Sequence, residues 1–148
     1  MGDTGNNPAG PFRPLGIDHV VVRVRDMERS IEFYGSVLGC VPERRVDELG
    51  LVQLRAGASL VDLVDIAKPL GRAGGAPPGE GARNMDHFAL RIEPFDVAAI
   101  TAHLRAQGVE PAEPARRYGA EGMGLSIYIH DPDGNVVELK GPPEVRDS

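Results

Sequence analysis

Apolar and polar residues alternate along residues 17–25, and this period of two predicts a strand with His19 on one face. Asp26, a residue type that favours the N-cap position, precedes an apolar stripe at helical spacing, and Gly39 follows where a helix would end. Extended apolar runs separated by turn residues predict three more strands. The first half therefore reads as a strand, a helix and three strands, the last three at residues 41–46, 51–55 and 59–66.

The second half of the chain repeats this pattern. M-D-H-F-A-L-R-I at residues 85–92 matches I-D-H-V-V-V-R-V at residues 17–24, and Asp96 matches Asp26 as a predicted N-cap. A short extended piece at residues 109–111 and a Gly-rich segment predicted as a loop then lead to a strand, a D-P-D-G turn and a return strand. Such self-similarity indicates an internal duplication. These last segments are residues 116–124, 125–129, 131–134 and 135–140.

The duplication predicts an α+β fold of two βαβββ modules, because neither strand-helix-three-strand unit closes a core alone. Side by side, the modules are expected to form a curved, eight-stranded, mostly antiparallel sheet with two helices outside. A Gly- and Pro-rich linker at residues 67–84 separates the halves. The predicted organisation is a flexible leader (1–16), a single domain of two modules (17–66 and 85–141) and a tail (142–148).

Four potential metal ligands occupy equivalent positions in the two halves. His19 and His87 lie on the matching first strands, while Asp62 and Glu138 lie within apolar runs on the matching last strands. A carboxylate in such a strand either faces water or is held by a partner such as a cation. Taken singly, each residue fits an ordinary core or surface position. The doubled set favours a site for one divalent metal ion, Ni, Co, Zn, Mn or Fe.

Composition narrows the class of ligand. A chain of 148 residues is about one domain, and none of its apolar runs approaches the length of a membrane span. The net charge of −6 argues against nucleic acid or an anionic membrane as the main partner and leaves a small molecule. The single cysteine, Cys40, excludes an internal disulfide, suits a cytoplasmic location and is interpreted as a packing residue.

Three motifs resemble the vicinal oxygen chelate superfamily, which includes glyoxalase I, bleomycin-resistance proteins, extradiol dioxygenases, fosfomycin-resistance enzymes and methylmalonyl-CoA epimerase. They are I-D-H-V-V-V-R-V-R-D-M-E-R-S-I-E-F-Y-G-S-V-L-G, M-D-H-F-A-L-R-I and D-P-D-G-N-V-V-E-L, and together they span residues 16–141. The resemblance implies paired βαβββ modules, often in a homodimer, and a metal that binds two oxygens of the substrate. His19, His87 and Glu138 fall on the superfamily's ligand positions.

Asp62 falls where glyoxalase I-like members have a glutamate, and aspartate is one methylene shorter. Should Asp62 not reach the metal, two histidines and one carboxylate remain, a set that suits Fe(II) oxygen chemistry. The resemblance also implies a carboxylate that moves a proton between adjacent carbons, with Glu138 the first candidate and Asp62 the second. The candidates for contact with the substrate are Arg116 and Arg117, expected in a flexible loop over the cleft, together with Tyr128 and His130.

Three functions follow as hypotheses. The first is a glyoxalase I-like lyase or isomerase that chelates two oxygens of a small substrate. The second is an Fe(II)- or Mn(II)-dependent extradiol-type dioxygenase. The third is a non-catalytic drug- or metabolite-binding protein like the bleomycin-resistance proteins. We expect a homodimer, and whether the site lies within one chain or is shared between two chains stays open at this level.

Overall fold

In the computed structural model, which describes residues 11, 13, 15–77 and 83–145, the chain forms two modules of the same βαβββ topology. The predicted leader, residues 1–16, lies mostly outside the described residues. Residues 78–82 of the predicted linker and residues 146–148 of the predicted tail also lie outside them.

The first module begins with the strand that the alternating pattern predicts. Its helix begins after Asp26, whose side chain accepts a hydrogen bond from the backbone N–H of Arg29, and it ends in a π-helical turn before Gly39, which has a φ of 76°. A 3-10 turn, Asp47–Leu49, precedes the third strand. The elements are β1 (His19–Val24), α1 (Met27–Glu32) with its π-helical turn (Phe33–Val37), β2 (Val41–Val46), β3 (Leu51–Ala56) and β4 (Ser59–Asp65).

The second module repeats this order after a short helix in the linker. That helix, α2 (Pro69–Arg72), has proline in its first turn, where the missing N–H costs nothing. The Asp96 side chain caps the next helix by accepting from the backbone N–H of Ala99, as predicted. The remaining elements are β5 (Phe88–Arg91), α3 (Val97–Ala106), β6 (Ala115–Gly119), β7 (Gly122–His130) and β8 (Val136–Lys140).

Each module forms its own four-stranded mixed sheet. The strand orders are β1-β4-β3-β2 and β5-β8-β7-β6, with the first strand parallel to the last and the other neighbours antiparallel. The predicted α+β fold of two βαβββ modules is confirmed, and its eight strands are divided between two sheets. Among the described residues, the strand ladders stay within each module, so β1 and β5 are both sheet edges.

One face of each sheet packs into a common core. Val22 and Leu63 of the first sheet and Ile127 and Val137 of the second are fully buried there, and Leu104 of α3 joins the same cluster. Side chains alternate between the two faces of a strand, so the residues next to these core positions point the other way. The alternation places the candidate metal ligands on the sheet faces opposite the core.

Polar contacts around the D-P-D-G turn join the two modules. The hydroxyl of Tyr34 on the first module donates to Asp131 Oδ2 at 2.7 Å, in buried surroundings. Asn84 Nδ2 donates both to the backbone carbonyl of Arg23 and to Asn135 Oδ1. Buried polar groups are stable when they find such partners, and these bonds tie the last hairpin to the first helix and first strand.

The prediction of a flexible loop at residues 116–124 is wrong. This segment forms β6 and the start of β7, which pair in register. Its glycines accommodate close neighbours: a Cβ on Gly119 would stand 2.7 Å from Lys140 Cε, and one on Gly124 would stand 2.2 Å from the carbonyl oxygen of Pro142. At these two positions glycine leaves room for β8 and the chain after it, while Gly122, the first residue of β7, has a φ of 117°.

None of the helices in the described part of the chain is long and apolar enough to cross a membrane.

Candidate metal site

The first module brings His19 and Asp62 together. Strands β1 and β4 are parallel neighbours, and Val21 of β1 lies opposite Asp62 of β4. His19 comes two residues before Val21, so the side chains of His19 and Asp62 lie on the same sheet face. His19 Nε2 is 4.0 Å from Asp62 Oδ2, which also accepts from Gln53 Nε2 at 3.1 Å. Asp62 is only 5% exposed, and its Oδ1 is buried with no hydrogen-bond partner among the described residues. A buried carboxylate oxygen without a donor is costly unless a cation or proton completes it.

The second module brings His87 and Glu138 closer together. His87 precedes β5, whose Ala89 lies opposite Glu138 on β8. His87 Nε2 is 3.2 Å from Glu138 Oε1, and Ser126 Oγ donates to Glu138 Oε2 at 2.6 Å. Glu138 is 6% exposed, so the carboxylate is buried with a partner for each oxygen.

Each histidine is oriented by the aspartate before it. His19 Nδ1 donates to Asp18 at 2.8 Å, and His87 Nδ1 donates to Asp86 at 2.6 Å. Because Nδ1 of each ring is held by the preceding aspartate, Nε2 is directed toward the buried carboxylate of the same module. The sequence interpretation missed these two aspartates, although the repeated Asp-His dipeptide is the signal that identifies them.

These contacts also shift the pKa values of the groups that make them. The pKa of His19 is raised, first by the hydrogen bond to Asp18 and next by the negative charge of Asp62. The pKa of the Asp86 carboxyl is lowered, mainly by the hydrogen bond from His87. Both shifts show that each aspartate interacts favourably with its neighbouring imidazole.

The donor atoms are of the kinds that bind a divalent cation, and one of the two pairs has the spacing of two ligands on one ion. Two ligand atoms about 2.1 Å from one metal ion lie roughly 3.0–3.4 Å apart for angles between octahedral and tetrahedral. The 3.2 Å separation in the His87–Glu138 pair is in this range, whereas the 4.0 Å separation in the His19–Asp62 pair is wider. The unpartnered Asp62 Oδ1 supplies a further acceptor for a cation. Imidazole nitrogen and carboxylate oxygen are ligands of divalent first-row metals.

The four predicted ligands meet as two pairs rather than as one cluster. Among residues 15–77 and 83–145, no three His, Cys, Asp or Glu side chains are grouped closely enough to hold a metal ion. Each pair lies on the sheet of its own module, and the two sheets share no strand ladder.

In each module, side chains on neighbouring strands continue from the His–carboxylate pair across the sheet. We call these the first and the second site row. In the first site row, Arg44 donates to Gln53 Oε1 at 3.2 Å, and Gln53 donates in turn to Asp62 beside His19. The row therefore connects an arginine at the sheet edge to the buried carboxylate through one amide.

The second site row has the same plan with different chemistry. Tyr128 lies opposite Glu138 in the β7–β8 register, its ring centroid is 5.5 Å from that of His87, and the Arg117 guanidinium sits 4.3 Å from the Tyr128 ring centroid. The pKa of Tyr128 is raised, first by loss of solvation and next by the charge of Glu138, while Arg117 opposes the shift. The structure thus brings two of the predicted substrate contacts, Arg117 and Tyr128, next to the pair.

The other two predicted substrate contacts lie apart from it. Arg116 forms a two-pronged, exposed ion pair with Glu144. His130, at the end of β7, is exposed and lines a different cavity with Arg29 and Glu32 of the first helix.

Cys40 fits the packing role inferred from the sequence. It is 5% exposed, and burial raises the pKa of its thiol to about 11. The thiol is therefore neutral at physiological pH and is a poor nucleophile.

Comparisons of the sequence and of the fold with known proteins point to one family. Residues 16–139 match the model of the Glyoxalase/Bleomycin resistance protein/Dioxygenase superfamily. The chain is 30% identical over 131 residues to the glyoxalase domain-containing protein RDO1 of Mycosarcoma maydis, covering 88% of this chain and 70% of that protein. It is also 30% identical over 126 residues to the virulence protein STM3117 of Salmonella typhimurium, covering 83% and 81%. The crystal structure of the latter matches with a TM-score of 0.70 at 28% identity, covering 86% of this chain and 96% of that chain.

Other relatives carry the names of different reactions. Mitochondrial methylmalonyl-CoA epimerase of Bos taurus is 29% identical over 145 residues, covering 89% of this chain and 78% of that protein. Catechol-2,3-dioxygenase of Bacillus subtilis is 25% identical over 124 residues, covering 83% of this chain but 40% of that protein. Members of the superfamily are mostly enzymes, bind small molecules and commonly use a divalent metal. The relatives agree on the superfamily and differ in the reaction.

Proposed function

Because the chain belongs to the glyoxalase/bleomycin resistance protein/dioxygenase superfamily, we propose that it is a divalent-metal enzyme of the glyoxalase I-like type, with proton-transfer, isomerase or lyase chemistry on a small oxygenated substrate. The observation that carries the proposal is the doubled pair: in each module a histidine Nε2 faces a buried carboxylate, at 4.0 Å for His19–Asp62 and 3.2 Å for His87–Glu138.

The proposed site is shared by two copies of the chain, with His19 and Asp62 from one copy and His87 and Glu138 from the other. The pairs lie on separate sheets, and no three-ligand group forms among the described residues of one chain. The site face of the first sheet is also open, since Val21 is 46% exposed there while Val22 on the core face is fully buried. A second copy that covers this face would complete the ligand set and remove apolar surface from water.

A bound divalent ion would polarise two oxygens of the substrate and stabilise the negative charge that develops on them. The chain itself must supply the group that moves the proton. The sequence favours Glu138 over Asp62 for this role, but the contacts support the reverse order. Glu138 already engages both oxygens, with His87 and Ser126, whereas Asp62 Oδ1 has no donor among the described residues and is available to accept a proton.

Tyr128 and Arg117 are proposed to contact the substrate. The Tyr128 ring lies against His87, and the Arg117 guanidinium lies over that ring. The phenol supplies a hydrogen-bond donor and the guanidinium a positive charge near the developing negative charge. Arg116 is left out of this role because it is paired with Glu144.

Complementation between two inactive variants tests the proposal. His19→Ala and His87→Ala chains carrying different affinity tags are combined, and the heterodimer is purified through both tags. One of its two sites would combine the intact halves, so we expect one Ni or Co ion per heterodimer by metal analysis, and loss of metal from each variant homodimer.

The matched control combines His87→Ala with Glu138→Gln, the acid change expected to weaken metal binding most. Both changes fall in the same half-site, so every site of this heterodimer is damaged and no metal should be retained. Loss of metal in both heterodimers would contradict a shared site. Full metal retention by the His19→Ala homodimer would contradict the metal proposal itself.

An extradiol-type dioxygenase is the second candidate, and the wide His19–Asp62 separation favours it. With Asp62 off the metal, His19, His87 and Glu138 form the two-histidine, one-carboxylate set that supports Fe(II) oxygen chemistry. Oxygen uptake by the Fe(II)-loaded protein with catechol would support this reaction, and its absence alongside hemithioacetal isomerisation would favour the glyoxalase-like reaction.

A third outcome would indicate a binding protein. If metal-free protein binds a cationic compound tightly and metal-loaded protein turns over neither class of substrate, the histidines have a structural role.

A further inference from the structure

Lys140 is a buried lysine on the site face of the second sheet. It follows Glu138 by two residues on β8, so the two side chains share a face. The residue is 8% exposed, which is unusual because lysine is almost never fully buried without a charged partner. The proposed metal site does not use this ammonium group.

The hydrogen bonds that Lys140 makes to the described residues all go to neutral acceptors. Nζ donates to the backbone carbonyls of Arg117 at 2.6 Å and of Gly124 at 3.2 Å. An ammonium group has three donors, so these two neutral acceptors leave one donor unused. The salt bridges of the described residues include none to this nitrogen, and Glu144, the carboxylate that feels the charge of Lys140, is itself paired with Arg116. A buried positive charge in such a position is stabilised by an anion.

The surrounding backbone is shaped to admit the lysine. A Cβ on Gly119 would come within 2.7 Å of Lys140 Cε, and one on Gly124 within 3.5 Å of Nζ. Glycine at both positions thus leaves room for the side chain to pass beneath β6. The ammonium is therefore held in place by its surroundings rather than reaching freely into water.

The same residue lines a cavity of about 310 Å³ together with His87 and Glu138. Residues two apart on one strand are about 7 Å apart, so a small ligand near Glu138 spans the distance to Lys140. Arg91 also lines this cavity, but it donates to Glu121 at 2.7 Å. Lys140 is thus the cation in the cavity that makes no direct ion pair with a carboxylate of the described residues.

We propose that Lys140 binds an anionic group of the substrate, a carboxylate or a phosphate, within this cavity. The inference rests on the proposed function in one respect, since that function places the reacting oxygens at the His87–Glu138 end. The substrate class is then a small molecule that carries two chelating oxygens and an anion about one side-chain length away.

The chain offers an internal control, because Lys68 is its only other lysine and is exposed in the linker. Protein labelled with ¹³C at lysine Cε should give two signals. We expect inorganic phosphate or acetate, titrated into metal-free protein, to shift the Lys140 signal saturably and to leave the Lys68 signal unmoved. Whichever of the two anions binds more tightly identifies the anion class.

Two variants sharpen the measurement by calorimetry. Lys140→Met should lower affinity for the tighter-binding anion at least 10-fold, while Lys68→Met should leave it unchanged. In the metal-loaded wild-type protein, 3,4-dihydroxybenzoate should bind at least 10-fold more tightly than catechol, and Lys140→Met should abolish that preference while retaining catechol binding.

The outcomes separate this inference from the proposed function. Metal and catechol binding without any carboxylate preference or Lys140 shift would overturn the anion site and leave the metal site standing. A saturable Lys140 shift in a protein that binds no metal would support the anion site and overturn the metal proposal. Absence of a Lys140 shift, with a dimer that dissociates in Lys140→Met, would overturn the inference and assign the charge to a contact between copies.

Discussion

The two modules carry matching rows of side chains on matching strands, yet they hold them differently. In the first site row the acid is Asp62, 4.0 Å from His19, and one of its oxygens receives no hydrogen bond from the residues that the structure describes. In the second site row the acid is Glu138, 3.2 Å from His87, with both oxygens engaged. The two modules thus keep a histidine and an acid at equivalent positions. The acids differ by one methylene and in their neighbours, so their hydrogen bonds differ.

The residue beside each acid shows the same divergence. Gln53 in the first row donates an amide N–H to Asp62, while Tyr128 in the second row places an aromatic ring next to His87. Amide and phenol differ in acidity and in the apolar surface they present. We expect a division of roles between the halves. The close His87–Glu138 pair suits metal binding, and the Asp62 oxygen that has no donor among the described residues suits proton transfer.

The largest expected effect comes from changing the acids one at a time. Glu138→Gln should weaken Ni or Co affinity at least about 100-fold, because it removes charge from the close pair, whereas Asp62→Asn should weaken it about 10-fold or less. Competition with a chelator dye measures both. Equal losses would show that the two halves bind the metal alike, against the division of roles.

The helices provide a second comparison, since Tyr34 and Leu104 occupy equivalent positions eight residues after their N-caps. Tyr34→Phe leaves Asp131 without its buried hydroxyl donor, so the free energy of unfolding should fall by about 1–3 kcal/mol. Urea denaturation measures this change. Tyr118→Phe, at a residue that is 78% exposed, is the control and should have no effect. Metal affinity should be unchanged in both variants.

Variants of Asp18 and Asp86 test whether both modules depend on a hydrogen bond to aspartate to orient the histidine. Asp86→Asn and Asp18→Asn should each lower metal affinity about 10-fold, since each weakens the hydrogen bond that orients Nε2. Because both carboxylates are exposed, unfolding midpoints should hardly move. Unchanged metal affinity in both variants would remove them from the site.

The smallest effect is expected at Cys40, where the two modules have different side chains packed in or against the core and neither belongs to the proposed metal site. Cys40 follows Gly39 as Val109 follows Gly108, so Cys40→Val substitutes the residue found in the other module. The swap nearly conserves volume and should change the free energy of unfolding by less than about 1.5 kcal/mol, with metal affinity unaltered. Loss of metal binding in this variant would contradict the packing role of Cys40.

Much of the fold was predictable because its signals are local. The Asp26 and Asp96 N-caps, the apolar stripes and the alternation on β1 depend only on neighbours along the chain. The strand β6 was missed because its residues carry a loop-like composition, and its pairing with β7 comes from contacts between segments. Glycines that admit Lys140 look the same in sequence as glycines of a loop.

By itself the sequence determined the duplication, the module topology and the identity of the residues on the site faces, since spacing along a strand or helix decides which side chains share a face. Only the tertiary structure decided the two separations, 4.0 Å and 3.2 Å, the burial of Lys140 and the Asp62 oxygen left without a donor by the described part of the chain. These properties depend on atoms brought together from different strands, and periodicity along one strand carries no information about the distance to the next.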